Sequence, residues 1–384
     1  MSEIKVNSIK GVGASAAAIT VNNTDGTCTA NITNNLSNRN KIINGAMAVH
    51  QRSSSVTGIT SSGYRTADRW GLSVSVGTWT NTISTDTPDG FANSYKIDCT
   101  TSGTVATNNL LIFYQVIEGQ NLQDFAKGTS SAKQFSVSFN IKTNKTGTYI
   151  VELYDADNNR QVSQSYTVSN TNWNRYTITF PADTSGAFDD DNAASLYLQW
   201  WLAAGTNFTS GTLNTSWANT VTTNRVSGLN VNLADDTSNE WLITGVQLEV
   251  GSVATDFEHR SYADEVKLCE RYFQTSFEKG QAPTHGLGKY IYKHGRPYSG
   301  SVVAGMNHTL RTEMRSTPTI IIYTTSNGSN STTNRVSYFS LASGWTSGSI
   351  SIHDSTNTKQ FAFDGTLASD FVLYQYNFTC AAEL

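Results

Sequence analysis

The chain has 384 residues, a formal net charge of −4 and only 15% charged residues, against about 25% in an average soluble protein. With no long basic run it is not built to capture nucleic acid electrostatically, and no apolar stretch approaches the roughly 20 residues of a transmembrane helix, so membrane insertion is not expected. Its 8 Trp, 17 Tyr and 16 Phe exclude a disordered polymer, and Ser, Thr, Asn and Gly standing where Lys and Glu usually stand suit a turn-rich β protein.

In chain order, residues 1 to 40 are polar and repetitive and cannot bury a core, so they read as an anchoring or trimer-winding arm. Met1 to Asn7 has no apolar signal segment, and synthesis in the cytosol is expected. From Lys41 to Arg260 the pattern predicts one jelly-roll β-sandwich. Phe135, Val137, Phe139 and Ile141 alternate onto one strand face, and Tyr149 to Tyr154, Asn174 to Phe180, Ser195 to Leu202 and Trp241 to Val250 add further strands. Over residues 261 to 280 a single amphipathic helix is expected, with Ser261 as its N-cap, an apolar stripe of Tyr262, Val266, Cys269, Tyr272 or Phe273, and Phe277, and Gly280 as its stop. Residues 281 to 384 read as a second β-sandwich forming a tip, interrupted by an exposed loop from Thr325 to Asn334. Cys28, Cys99, Cys269 and Cys380 are scattered without ligand spacing, so free thiols are expected.

Candidate chemistry centres on Ser195 to Leu202. Leu196, Leu198, Trp200 and Leu202 share the core face, leaving Tyr197, Gln199 and Trp201 on the other. Two flat rings flanking an amide suit a sugar, the rings covering its apolar side and the amide bonding its hydroxyls; Gln247 and Glu249 would add polar partners if the two strands adjoin. The same face also suits a subunit interface, the reading favoured because aromatic residues are enriched there. Asp68-Arg69-Trp70 could hold a ligand carboxylate through Arg69, but reads rather as a structural knot, a buried Arg–Asp pair beside a core Trp; Gln115 and Glu118 share this ambiguity. Asp189, Asp190 and Asp191 offer oxygens to a structural Ca²⁺, though a solvated loop is the favoured reading; Asp155 to Asn159 begins like an EF-hand, but Arg160 stands where that loop needs its turn glycine. No G-x-S-x-G or H-E-x-x-H occurs, so no catalytic residue is assigned, no cofactor is called for, and an enzyme is not expected.

Two blocks carry a family resemblance. Ile43-Asn44-Gly45-Ala46-Met47-Ala48-Val49-His50-Gln51-Arg52 is followed by Ala67-Asp68-Arg69-Trp70, and Gly245-Val246-Gln247-Leu248-Glu249-Val250-Gly251 leads into Cys269-Glu270-Arg271-Tyr272-Phe273. From Lys41 onward the chain resembles fibre and structural proteins of marine tailed phages. The resemblance implies a carbohydrate-binding-module-like jelly roll, a homotrimeric habit and a place on the virion. Its partners would be other tail or head proteins, met through residues 1 to 40, and host-surface polysaccharide. Host attachment is the function this implies; a structural or decorating role and a polysaccharide depolymerase are the alternatives.

Overall fold

Strict alternation between Phe135 and Ile141 is realised as a strand whose Phe135, Val137, Phe139 and Ile141 all enter the core. The chain is seen in a computed structural model that describes residues 6–10, 12, 19–21, 24, 28–30, 37–286, 290–294, 302–324, 334–353, 356–368 and 371–384. Most of the arm and positions 325–333 of the expected loop lie outside the described residues. Within the arm, β1 (Ser8–Ile9), β2 (Ile19–Val21) and β3 (Cys28–Ala30) form a small antiparallel sheet.

The larger unit is a sandwich of two antiparallel sheets. Its strands are β4 (Ser55–Ile59), β5 (Gly63–Tyr64), β6 (Gly71–Val74), β7 (Thr78–Ser84), β8 (Ser94–Thr101), β9 (Leu110–Glu118), β10 (Phe135–Thr143), β11 (Gly147–Asp155), β12 (Arg160–Val168), β13 (Asn174–Phe180), β14 (Ala194–Ala204), β15 (Ala218–Asn219) and β16 (Glu240–Val250), with one helical turn, α1 (Thr206–Thr209), after β14. One sheet runs β13-β10-β16-β8-β7-β4 and the other β15-β12-β11-β14-β9-β6-β5. Between them lies one apolar cluster reaching from Ile42 to Leu248. Aromatic rings dominate it: Trp70 stacks on Phe113 with centroids 4.7 Å apart, and Trp200 and Trp241 pack against the same phenyl ring. Each large apolar side chain buried this way contributes roughly 1.5–3 kcal/mol.

Ser261 caps the helix as its sequence predicts, its hydroxyl accepting from the Asp264 amide at 3.2 Å. The helix α2 (Tyr262–Glu270) nevertheless stops well short of residue 280. Glu118 is the cause. Its carboxylate receives Arg271 Nε and Nη2 at 2.9 and 2.8 Å and also the Tyr272 hydroxyl, which pulls the chain off the helical path. Residues 273–275 then join a sheet as β17.

The C-terminal unit comprises β17 (Phe273–Thr275), β18 (Ile291–His294), β19 (Val302–Thr309), β20 (Thr319–Tyr323), β21 (Arg335–Ser340), β22 (Gly344–Ile352), β23 (Gln360–Thr366) and β24 (Phe371–Ala381). Its order is β17-β24-β21-β22-β23-β19, with β18 and β20 also paired to β24. The long β24 thus has partners along both edges, and the sheet curls around Phe361, Phe363, Tyr376 and Phe378.

This unit docks on the sandwich through charged residues. Asp68, Arg69 and Trp70 are all buried, as a structural knot requires, but Arg69 does not pair with Asp68. Arg69 bonds Glu383 and lies 3.5 Å from the centroid of Tyr272. Asp68 accepts instead from the Gln51 backbone and side-chain amides, with Arg52 3.4 Å away. Cys99, Cys269 and Cys380 are free thiols and buried.

Candidate functional site

Strand β14 sends Leu196, Leu198, Trp200 and Leu202 into the core, each with no exposed surface. Tyr197, Gln199 and Trp201 do share the opposite face, but their surroundings differ sharply. Trp201 is fully buried, which corrects the expectation of an open ring. Residues 205–229 fold back over it: the Phe208 ring lies 5.2 Å away and Val226 closes the same apolar cluster. The Trp201 indole N–H donates to Glu152 Oε2 at 2.9 Å, and the Arg225 guanidinium sits 4.9 Å from its ring. A tryptophan with its donor satisfied and both sides covered is structural.

Gln247 and Glu249 lie in β16, in the other sheet, so they do not join Tyr197 and Gln199. Both are buried by residues 255–258. Gln247 Nε2 donates to Glu249 Oε1, its Oε1 accepts from the Glu258 amide, and the Glu249 carboxylate accepts from the Thr255 amide and hydroxyl, all at 2.8 Å. These two side chains pin a loop to the back of the sandwich.

Tyr197 belongs to a different constellation. On the outer face of the seven-stranded sheet four tyrosines lie in sequence: Tyr154 on β11, Tyr197 on β14, Tyr114 on β9 and Tyr64 on β5. All are partly exposed. Successive ring centroids are 5.8, 6.4 and 6.0 Å apart, so each ring lies beside the next. Strand β6 intervenes between Tyr114 and Tyr64, and its residue in that row is Gly71, paired with both. With no side chain at Gly71, the hydroxyl end of the Tyr114 ring lies over β6.

Covered residues bound this band. On one side the Trp201 row lies beneath residues 205–229. On β9, Val116, the direct cross-strand partner of Tyr197, and Glu118 beyond it are buried where Tyr272 and Arg69 dock. Gln199, 8% exposed, sits among the rings as the cross-strand partner of Tyr114. Arg225 fixes its orientation: Nε and Nη2 bond Glu152 at 2.8 Å each, and Nη2 also donates to Gln199 Oε1 at 3.0 Å. The Gln199 amide nitrogen is therefore the end turned away from Arg225.

The band is chemically neutral. Burial pushes the phenols of Tyr114 and Tyr197 above their ordinary range, so both stay protonated. Three carboxylates bordering the band are engaged by arginine: Glu152 by Arg225, Glu118 by Arg271 and Glu383 by Arg52 and Arg69. Burial works to raise the Glu118 carboxyl, but the bonds from Arg271 and Tyr272 outweigh it and hold it below the usual range. Gln115 is structural, its amide spanning the Ile43 carbonyl and amide at 2.8 and 2.9 Å.

Asp189, Asp190 and Asp191 are exposed on a loop. Asp191 accepts from the Ala193 amide, and the Asp189 amide donates to Asp157. Among the described residues no group of three or more His, Cys, Asp or Glu is arranged to hold a metal ion. Asp155, which opens the EF-hand-like stretch, is buried against the ammonium of Lys127.

Sequence reasoning missed Tyr64, Tyr114 and Tyr154. Alternation places Tyr114 and Tyr154 on the outward faces of their own strands, but only the pairing register brings them beside Tyr197.

No family model and no curated protein matches this sequence. Solved structures overlap it in part. The family 11 carbohydrate-binding module from Clostridium thermocellum, in complex with a β-1,3-1,4-mixed-linked tetrasaccharide, is 14% identical and covers 54% of this chain and 100% of its own, with a TM-score of 0.25. A xylan-binding domain of family 22 is 14% identical over 49% of this chain and 90% of its own, with a TM-score of 0.27. A family 4 carbohydrate-binding module is 12% identical over 48% and 87%, with a TM-score of 0.25. Overlaps this partial say nothing of what this chain binds.

Proposed function

We propose that the chain is a glycan-binding adhesion subunit that holds an extended carbohydrate across the outer face of its seven-stranded sheet. One observation carries this reading: the contiguous row of Tyr154, Tyr197, Tyr114 and Tyr64. Flat rings spaced by strand geometry offer successive platforms for the apolar faces of sugar rings, while phenol hydroxyls and the oriented Gln199 amide serve the sugar hydroxyls. The sugar and subunit-interface readings of the β14 outer face both include Trp201, which the chain covers with its own residues 205–229; Tyr197 and Gln199 are what remain of that face.

A binding role, not hydrolysis, is supported by the flanking acids. Glycosidic cleavage needs a pair of carboxyl groups free to trade protons across the scissile bond. Here Glu118, Glu152 and Glu383 are each committed to arginine. The motif resemblance supports placing the subunit on a tailed-phage particle, as a homotrimeric fibre that meets host polysaccharide, with residues 1–40 toward the particle.

A glycan array of bacterial surface polysaccharides tests the reading. The wild-type chain is expected to be retained on a defined subset, and Tyr197→Ala and Tyr114→Ala to lose roughly tenfold in affinity each, about 1.4 kcal/mol per platform. Retention unchanged in both variants would remove the proposed face. Antibody labelling of purified particles tests the virion placement.

A further inference from the structure

Tyr64, the last ring of the row, is held unlike the other three. Its strand β5 is only two residues long and lies at the sheet edge, so pairing alone does little to fix the ring. The ring is set from outside the sandwich. The Tyr64 hydroxyl donates to the Leu384 carbonyl at 3.0 Å, and the Arg52 guanidinium lies 5.7 Å from its centroid.

Arg52 is in turn clamped by the C-terminal unit. Its Nη2 donates to Glu383 Oε1 at 2.8 Å, and its guanidinium lies 3.8 Å from the centroid of Phe273. The second Glu383 oxygen takes Arg69, whose Nη2 donates at 2.6 Å to the carbonyl of Val116, two residues along β9 from Tyr114. Arg315 grips the same segment by its backbone, bonding the Ala382 and Glu383 carbonyls at 3.0 and 3.1 Å. One carboxylate thus links Arg52, beside the Tyr64 ring, to Arg69, which is bonded to β9.

Resting on the glycan reading above, we propose that Glu383 is a positioning residue for sugar binding: the docked C-terminal sheet places the Tyr64 ring and so sets the length of chain the face recognises. Short oligosaccharides need only Tyr154, Tyr197 and Tyr114. Longer ones reach Tyr64 and sense the junction. Discrimination by chain length is then a property of two units together, with Glu383 touching no sugar.

The test uses the full chain and the polysaccharide it retains on the array, partially acid-hydrolysed and sized into short and long pools. Wild type binds the long pool more tightly. Glu383→Gln and Tyr64→Ala are each expected to weaken the long pool about tenfold and to leave the short pool within about twofold, with the double variant no weaker than either alone. Tyr64→Phe, which keeps the ring but removes the hydroxyl that bonds Leu384, guards against a junction that opens in Glu383→Gln; it should lower long-pool affinity at an unchanged melting temperature. Loss of both pools equally, or a long pool held as tightly by Glu383→Gln and Tyr64→Phe as by wild type, overturns the proposal. Tyr197→Ala separates the two ideas: it should weaken both pools, and if it weakens neither, the glycan reading itself falls.

Discussion

The ring of Tyr114 rests on the backbone of Gly71, two strands meeting where one has no side chain. A β-carbon built on Gly71 would lie 2.3 Å from Tyr114 Cζ and 2.6 Å from its hydroxyl oxygen. Gly71 is not in the left-handed region, so alanine is acceptable to the backbone and the contact alone decides the outcome.

Gly71→Ala should therefore displace the Tyr114 ring while leaving the fold intact. Glycan affinity is expected to fall about as far as in Tyr114→Ala, roughly tenfold, with stability changed by only about 1 kcal/mol because the ring can swing toward solvent. Affinity by titration calorimetry and stability by thermal unfolding check the two halves separately.

Glu152 makes a different prediction, about the covered row. It is fully buried, holds Arg225 through both oxygens and accepts the Trp201 indole N–H. Glu152→Gln leaves that guanidinium without its anion and should cost roughly 3 kcal/mol, the low end for a broken buried pair because Arg225 keeps some contact with solvent. Urea unfolding measures the loss, and amide exchange should quicken first in residues 205–229.

Asp68 gives the junction a pH signature. Burial is the largest influence on its carboxyl and pushes it up to about 6 from 3.8, against the opposing pull of Arg52 and Gln51. The folded state therefore keeps a proton that the unfolded chain has already released between about pH 4 and 6, and over that window this group's contribution to stability falls as pH rises. Asp68→Asn lacks the titration. Wild-type stability relative to that variant should decline by roughly 1–3 kcal/mol from pH 4 to 6 and stay level above it. An unchanging difference across the window would contradict the sign.

Period-two patterning was enough to read the sandwich and the core face of β14, because burial on one side of a strand imposes alternation whatever the partner strand is. It could not say what lies over the other face. Trp201 is covered by residues 205–229, a stretch without periodicity, and Gln247 and Glu249 fall on the opposite sheet because strand order is a long-range property. The row of tyrosines was illegible for the same reason: Tyr64, Tyr114, Tyr154 and Tyr197 come from four separate segments. Arg69 was recognised as buried, but its partner Glu383 is 314 residues away, and the nearer Asp68 was the wrong choice. The helix stop failed likewise, since Glu118 captures Arg271 and Tyr272 from 153 and 154 positions upstream.

Hydroxyl-radical footprinting of the full chain, alone and with the polysaccharide it retains, probes the row of rings most directly. Tyr114, Tyr154 and Tyr197 are expected to lose labelling on binding, whereas Trp345, exposed on β22 of the other unit, keeps it. Tyrosines labelled equally in both states, with protection appearing at Trp345 instead, would contradict a sugar held on the outer face of the sandwich.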